Sequence, residues 1–173
     1  MTIDGKVIAE RVFQRLAADG IAGKKLGILI AGSDTVTDSF VRTKARAAER
    51  IGVVITRTTI PETATTEEAL RALEKLAAET DGVIVQLPLP VHIDTEAILA
   101  TIPPEKDVDG ISASPKVRPP VAEAIAEILS QSGTQVHDTN VVVVGSGRLV
   151  GKPAATMLKE MGAHVTVLTH GDS

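Results

Sequence analysis

The chain contains no cysteine, tryptophan or tyrosine among its 173 residues. Without cysteine it can form no disulfide, no thiolate metal site and no cysteine nucleophile, which is the composition expected in the reducing cytoplasm. Aromatic residues make up 1% of the sequence, so a ligand ring can stack only on Phe13, Phe40 or a histidine. The four histidines do not have metal-ligand spacing, and we therefore expect no bound metal.

Strong positive charge and long apolar runs are also missing. The formal net charge is -4 at pH 7, which argues against the basic surface that a nucleic-acid backbone needs. The longest apolar runs, such as 141–144, are far shorter than the roughly 20 residues that cross a bilayer. Asp4 and Lys6 stand where a signal peptide would have its apolar core. The sequence thus predicts neither a nucleic-acid nor a membrane partner, and a cytoplasmic location.

Helical and strand patterns alternate along the chain. Helical spacing or composition indicates helices over 5–16, 39–51, 66–76, 95–100, 121–129 and 150–161. Short apolar or β-branched runs indicate strands over 26–30, 53–60, 83–87, 141–144 and 164–168, with a turn at 31–34. This alternation predicts an α/β fold with mainly parallel strands covered by helices.

The proline-containing stretch 102–120 has no regular period and is the candidate domain boundary. We place the domains at 1–115 and 116–173. The second holds one strand–helix–strand unit, which cannot easily cover both faces of its sheet. We therefore expect either a longer chain or neighbouring strands from another subunit.

A glycine-rich turn follows the strand at 141–144. Gly145, Gly147 and Gly151 form the pattern GxGxxxG and precede a helix, which is the context of a dinucleotide-binding turn. Glycines let the backbone approach a pyrophosphate, and the helix N-terminus presents N–H groups and a positive dipole. On this motif alone, a tight turn without a ligand is the alternative.

Polar residues also follow the strand at 83–87 and occupy the loop after 102. Gln86 is expected at the carboxyl edge of the sheet, where open α/β sheets bind ligands, although it could simply satisfy loop backbone groups. Lys106, Asp107 and Asp109 lie in a loop that ends at Gly110. They could hydrogen-bond a polar heterocycle or form a solvated, self-paired loop.

Phe40 and Lys44 are one turn apart on a predicted helix and share a face. An aromatic ring beside a lysine suits a ligand ring that stacks while an ammonium lies near its reacting atom. The alternative is a core phenylalanine and a surface lysine.

Segments 85–90, 106–110 and 145–153, in this order, resemble the methylenetetrahydrofolate dehydrogenase/methenyltetrahydrofolate cyclohydrolase family, the bifunctional FolD-type enzymes. The resemblance runs from Asp4 to His170. It implies an N-terminal folate-binding α/β domain and a Rossmann-like nucleotide-binding domain that is truncated here. It further implies oxidation of 5,10-methylenetetrahydrofolate with NAD(P), hydrolysis of the 5,10-methenyl product to 10-formyltetrahydrofolate, and a homodimer.

The resemblance also implies roles for individual residues. Lys44 matches the catalytic lysine of the cyclohydrolase step, Gln86 the residue that orients it, and Asp109 the aspartate that holds the pterin-type ring through its N–H donors. The implied substrate site contains these three residues together with Phe40, Leu87 and Pro88. The implied cofactor site consists of Gly145, Ser146, Gly147, Arg148, Val150, Gly151 and His170.

The resemblance favours NADP as the cofactor, with NAD as the alternative. Ser146 and Gly171 match positions near the 2′-phosphate, and Asp172 beside them would repel a phosphate and favour ribose hydroxyls. Arg148 and Lys152 could compensate for that charge.

The chain departs from the family pattern at several places. Phe40 stands where the family usually has tyrosine, which keeps a stacking face and loses a hydroxyl. The family's Pro-Cys-Thr-Pro segment is replaced by residues 119–122, and the loop after Gly110 is several residues shorter. The second half of the nucleotide domain is missing, so we expect weak dehydrogenase activity from these residues alone and a longer enzyme as their source.

These departures leave two alternative functions. The first is a monofunctional dehydrogenase or folate-binding relative in which Phe40 marks a weakened cyclohydrolase. The second is a non-catalytic α/β module that serves dimerisation.

Overall fold

The computed structural model describes residues 3–32 and 35–171, except for the side chains of residues 35 and 36. Ser33 and Asp34 of the predicted turn, and Asp172 of the predicted cofactor region, lie outside the described residues. The chain folds as two compact units. The N-terminal unit comprises 10–108 and 112–116, and the C-terminal unit comprises 3–9, 109–111 and 117–171 of the described residues. The boundary between 115 and 116 stays a prediction.

A three-stranded parallel sheet forms the centre of the N-terminal unit. Strand β1 (Lys25–Ala31) lies in the middle and pairs with β2 (Val54–Ile60) on one side and β3 (Gly82–Val85) on the other. Four consecutive residues of β1 and all four of β3 are buried. Because both faces of these strands are covered, their sequences are continuous apolar runs without alternation.

Four helices accompany this sheet in the chain: α1 (Gly5–Ala18), α2 (Thr35–Arg50), α3 (Thr66–Glu79) and α4 (Thr95–Ala100). Helix α3 begins with a capping box, in which Thr65 Oγ1 accepts from the backbone N–H of Glu68 and the Glu68 carboxylate accepts from that of Thr65. It packs against β1, where a Cβ on Gly27 would lie 2.7 Å from Leu76 Cγ. The close packing of helix on strand therefore requires glycine at this position.

A two-stranded parallel sheet forms the centre of the C-terminal unit. Strands β4 (Asn140–Val144) and β5 (His164–Leu168) pair along their whole length. Helices α5 (Pro120–Ser132) and α6 (Gly151–Glu160) contribute to the apolar cluster on one face. On the other face Val142 and Val144 are 58% and 82% exposed, as expected of one strand–helix–strand unit.

The predicted α/β fold with parallel strands is confirmed, and the differences concern element ends. Helix α2 begins at Thr35 and not at residue 39. The prediction began too late because the largely polar first turn shows no period of apolar residues. Strand β3 ends at Val85, so the predicted strand 83–87 was two residues too long and Gln86 and Leu87 lie beyond it. No helix in the described part of the chain is both long and apolar enough to cross a bilayer.

The Asp81 carboxylate joins the beginnings of β1 and β3. It accepts from the backbone N–H of Lys25 at 2.8 Å and from Lys24 Nζ at 3.1 Å. These two hydrogen bonds, the backbone one first, hold the pKa of Asp81 below its usual value.

We expect Asp81→Asn to reduce stability at neutral pH and to matter less in acid. Because the folded-state pKa is lowered, the carboxylate stabilises the fold above the unfolded-state pKa of about 3.9 and loses this effect as the pH falls through the folded-state value. Thermal unfolding followed by circular dichroism between neutral and acid pH measures the difference between wild type and variant. The exposed Asp19→Asn variant is the control, and a difference that does not shrink in acid would contradict this account.

Candidate active site

Lys44 and Gln86 meet at the carboxyl end of β3 in the N-terminal unit. Lys44 lies on α2, and its Nζ donates to Gln86 Oε1 at 3.0 Å. Both side chains are half-buried, which shields the bond from water without removing the lysine from solvent. The two residues are 42 positions apart, so the tertiary fold creates this pair.

The Gln86 amide is held in one orientation. Its backbone N–H donates to the Leu29 carbonyl at 2.9 Å, and its Nε2 donates to the Leu87 carbonyl at 3.0 Å. With Nε2 engaged by the loop, Oε1 is the atom that accepts from Lys44. The Gln86 side chain thus satisfies a loop carbonyl, as one alternative predicts, and also accepts from Lys44, while a role in binding a ligand stays a prediction.

Phe40 is 58% exposed and precedes Lys44 by one turn of α2. The alternative of a core phenylalanine is therefore wrong, and an aromatic face remains available beside the half-buried lysine. In the loop after β3, Leu87 is half-buried and Pro88 is exposed, and the peptide bond between them is cis.

Lys106 and Asp107, in the loop after α4, bind backbone groups and not one another. Lys106 Nζ donates to the carbonyls of Ala77 and Thr80 at the end of α3, at 2.5 Å and 2.9 Å. Asp107 is 3% exposed, and its Oδ2 accepts from the backbone N–H of Ser112 at 2.7 Å. Lys106 and Asp107 therefore anchor the loop, which the sequence did not reveal. Ser112, the partner of Asp107, belongs to none of the sequence motifs, so no pattern pointed to it.

Asp109 is half-buried and belongs to the C-terminal unit. Lys44 and Gln86 belong to the N-terminal unit. The structure thus brings together two of the three predicted catalytic residues within one unit. That Asp109 contributes to the same site stays a prediction.

The glycine turn lies at the carboxyl ends of β4 and β5. Gly145 has a φ of +96°, and its N–H donates to the Leu168 carbonyl at 2.7 Å. A Cβ on Gly151 would lie 2.0 Å from the Gly145 carbonyl oxygen, so this glycine is required for α6 to begin close to the strand. Gly147 has neither constraint, because a Cβ there would meet no atom within 4 Å.

The predicted cofactor residues therefore share one edge of the C-terminal sheet. Ser146, Gly147, Arg148 and Val150 are exposed on the turn, and His170 is exposed just after β5. Helix α6 begins without a side-chain cap, and the space above Gly147 is open. An uncapped helix N-terminus with an open glycine backbone fits the pyrophosphate of a dinucleotide. Among the residues that the structure describes, no group of three or more His, Asp or Glu could hold a metal ion.

Two family models match the chain. The catalytic domain of tetrahydrofolate dehydrogenase/cyclohydrolase matches residues 3–109, and the NAD(P)-binding domain of the same family matches residues 119–173. Bifunctional protein FolD of Methanospirillum hungatei is 37% identical over 181 residues, which is 96% of this chain and 65% of that protein.

Solved structures give the same result. The bifunctional FolD dehydrogenase/cyclohydrolase of Campylobacter jejuni matches with a TM-score of 0.90 at 26% identity, over 98% of this chain and 67% of that one. The Trypanosoma brucei FolD structure, complexed with NADP and an inhibitor, matches with a TM-score of 0.90 at 31% identity, over 98% and 64%. The chain thus spans about two thirds of the length of these relatives. With both domain models matched in order and with this fold, the chain belongs to the tetrahydrofolate dehydrogenase/cyclohydrolase family.

Proposed function

We propose that the chain acts in one-carbon folate metabolism as both an oxidoreductase and a hydrolase. It would oxidise 5,10-methylenetetrahydrofolate with NAD(P) and hydrolyse 5,10-methenyltetrahydrofolate to 10-formyltetrahydrofolate. The observation that carries this proposal is the Lys44–Gln86 hydrogen bond at the end of β3, with the exposed ring of Phe40 one turn away. Relatives described as bifunctional support this proposal over a monofunctional dehydrogenase or a non-catalytic module.

The folate would bind along the exposed surface of α2 and the loop after β3. Phe40 supplies a flat face for the pterin-type ring, since offset stacking does not need the hydroxyl of tyrosine. The Asp109 carboxylate would accept paired N–H donors from that ring, which is a strong and directional contact. Leu87 and Pro88 would contact the ring from the loop beside Gln86.

Hydrolysis of the cationic 5,10-methenyl group moves one proton to N5 and releases one proton to solvent. Water adds to the bridge carbon between N5 and N10 and loses a proton as the carbon–oxygen bond forms, which leaves a neutral hydroxyl adduct. The carbon–N5 bond then breaks as N5 gains a proton, the hydroxyl loses its proton to solvent, and the formyl group remains on N10. We assign the first loss and the gain at N5 to Lys44 Nζ, which accepts the proton from water and returns it to N5. Gln86 Oε1 orients Nζ without competing for the proton, because an amide neither gains nor loses one at neutral pH.

The dehydrogenase step would use the glycine turn of the C-terminal unit. The cofactor, when bound, would supply a hydride acceptor for the methylene carbon. The backbone of Gly145 and Gly147 and the N-terminus of α6 would hold its pyrophosphate. NADP is favoured because Arg148 and Lys152 bring positive charge to this turn, and the Trypanosoma brucei structure, 31% identical, is described as an NADP complex. NAD is the alternative.

The proposal is tested with the purified chain in two assays. We expect loss of 5,10-methenyltetrahydrofolate absorbance faster than in buffer, and formation of reduced nucleotide from 5,10-methylenetetrahydrofolate with NADP. Reduction without hydrolysis would favour the monofunctional alternative. If calorimetry detects binding of neither tetrahydrofolate nor NADP, only the non-catalytic module remains. Calorimetry is needed because a chain without tryptophan and tyrosine gives no useful intrinsic fluorescence.

The predicted homodimer and the predicted cytoplasmic location stay predictions. Light scattering of the purified chain at several concentrations tests the dimer. A mass that stays that of one chain at all concentrations would contradict it.

A further inference from the structure

Asp107 is a buried carboxylate with an unsatisfied oxygen. Its side chain accepts one hydrogen bond, from the backbone N–H of Ser112 at 2.7 Å, through Oδ2. Within the described residues, Asp107 Oδ1 and Ser112 Oγ are both buried without a hydrogen-bond partner. Burial of incompletely paired polar groups is unfavourable, so stability alone does not explain an aspartate here.

The Asp107–Ser112 bond closes a short loop where the chain leaves and re-enters the N-terminal unit. Residues up to 108 and from 112 belong to that unit, whereas 109–111 belong to the C-terminal unit. Asp109, the proposed ligand of the folate ring, is the first residue of this three-residue segment. The bond therefore sets the separation between the two ends of the segment that carries Asp109.

The loop is also anchored before Asp107. The backbone N–H of Val83 in β3 donates to the Lys106 carbonyl at 2.8 Å, and Val83 pairs with Asp107 in a parallel bridge. The Lys106 ammonium binds the last carbonyls of α3. Asp107 is thus held beside β3, the strand that ends at Val85, directly before Gln86.

The segment is anchored after Asp109 as well. Gly110 has a φ of +64°, and a Cβ there would lie 2.5 Å from the Val117 carbonyl oxygen and 2.9 Å from Pro119 N. Only glycine fits this close approach. With Asp107 and Gly110 both fixed, the backbone on each side of Asp109 has little freedom.

We propose that Asp107 is a positioning residue for folate binding. By holding the N–H of Ser112, its carboxylate fixes the course of the backbone through Asp109 and so directs the Asp109 carboxylate toward the N–H donors of the folate ring. This inference rests on the proposed function, because it assumes that Asp109 binds the ring. A misdirected carboxylate loses its paired geometry, and loss of a hydrogen bond to a charged group weakens binding by about ten- to a hundredfold.

The test is calorimetric binding of tetrahydrofolate and of NADP to matched variants. Asp107→Leu keeps the branched shape and the number of side-chain heavy atoms but has no acceptor, and we expect its tetrahydrofolate Kd to rise about ten- to a hundredfold with an unchanged NADP Kd. Asp107→Asn keeps an oxygen that can accept from Ser112, and we expect it to restore affinity to within about threefold of wild type. A merely structural role would not give this separation between leucine and asparagine at one ligand.

Thr101→Val is the control for lost stability. It removes a different, partly buried hydrogen bond of the same unit, from Thr101 Oγ1 to the Ala97 carbonyl at 2.9 Å. We expect a lower unfolding midpoint and an unchanged tetrahydrofolate Kd. If Asp107→Leu fails to fold, Ser112→Pro removes the same bond from the donor side and is expected to raise the Kd equally.

The outcomes separate this inference from the proposed function. If wild type does not bind tetrahydrofolate, the proposed function fails. If wild type binds and Asp109→Asn abolishes binding, while a folded Asp107→Leu or Ser112→Pro variant binds like wild type, the positioning role is overturned and the proposed function stands.

Discussion

Lys44→Met should slow the hydrolysis of 5,10-methenyltetrahydrofolate by about 10²- to 10⁴-fold, the range for loss of a proton-transfer group. Methionine matches the length of the lysine stem and fills the same half-buried space, but it cannot donate to Gln86 Oε1 or carry a proton. Because Phe40 and Asp109 remain, we expect the tetrahydrofolate Kd to change by less than about tenfold. Stopped-flow absorbance measures the hydrolysis rate, and calorimetry measures the Kd.

The matched control for this variant is Lys75→Met. Lys75 is exposed on α3 and the substitution makes the same change of charge. We expect its hydrolysis rate to equal that of wild type. A Lys44→Met variant that hydrolyses the substrate as fast as Lys75→Met would show that Lys44 carries no proton in this reaction.

Two neighbouring glycine variants should have opposite effects on stability and on nucleotide binding. Gly151→Ala places a Cβ 2.0 Å from the Gly145 carbonyl oxygen, and we expect it to lower the free energy of unfolding by more than about 3 kcal/mol. Gly147→Ala places a Cβ in open space, so the unfolding midpoint should change little. If a pyrophosphate lies over that backbone, however, the methyl group occupies its place and the NADP Kd should rise at least about tenfold.

Thermal unfolding and NADP calorimetry together measure both effects. Gly5→Ala, at the first residue of α1, is the control, because a Cβ there also meets no atom within 4 Å. It should leave the NADP Kd unchanged. If Gly147→Ala binds NADP as tightly as Gly5→Ala does, the pyrophosphate does not lie over Gly147.

Short-range patterns in the sequence were sufficient for most of the secondary structure. The apolar runs at β1 and β3 and the glycine turn between β4 and α6 depend on residues close together in the chain, and they were located correctly. The errors lie where local composition is ambiguous. The polar first turn of α2 has no apolar period, and the run at 83–87 continues past the point where the ladder between β1 and β3 ends.

The charged loop 106–110 shows where sequence patterns are insufficient. The sequence does not separate the roles of Lys106, Asp107 and Asp109, because each is a charged loop residue that could bind a ligand or solvent. In the structure Lys106 binds the end of α3 and Asp107 binds Ser112, so both hold the loop in place. These contacts depend on which elements pack around the loop.

The sequence by itself determined the α/β class, the order of helices and strands and the position of the glycine turn, because periodicity and turn chemistry act over a few residues. The resemblance then identified Lys44, Gln86 and Asp109 as the residues of interest. Only the tertiary structure placed Lys44 Nζ against Gln86 Oε1 across 42 positions, exposed Phe40 and buried Asp107. These contacts join distant segments, and their geometry follows from how α2, β3 and the loop after α4 are placed around one sheet.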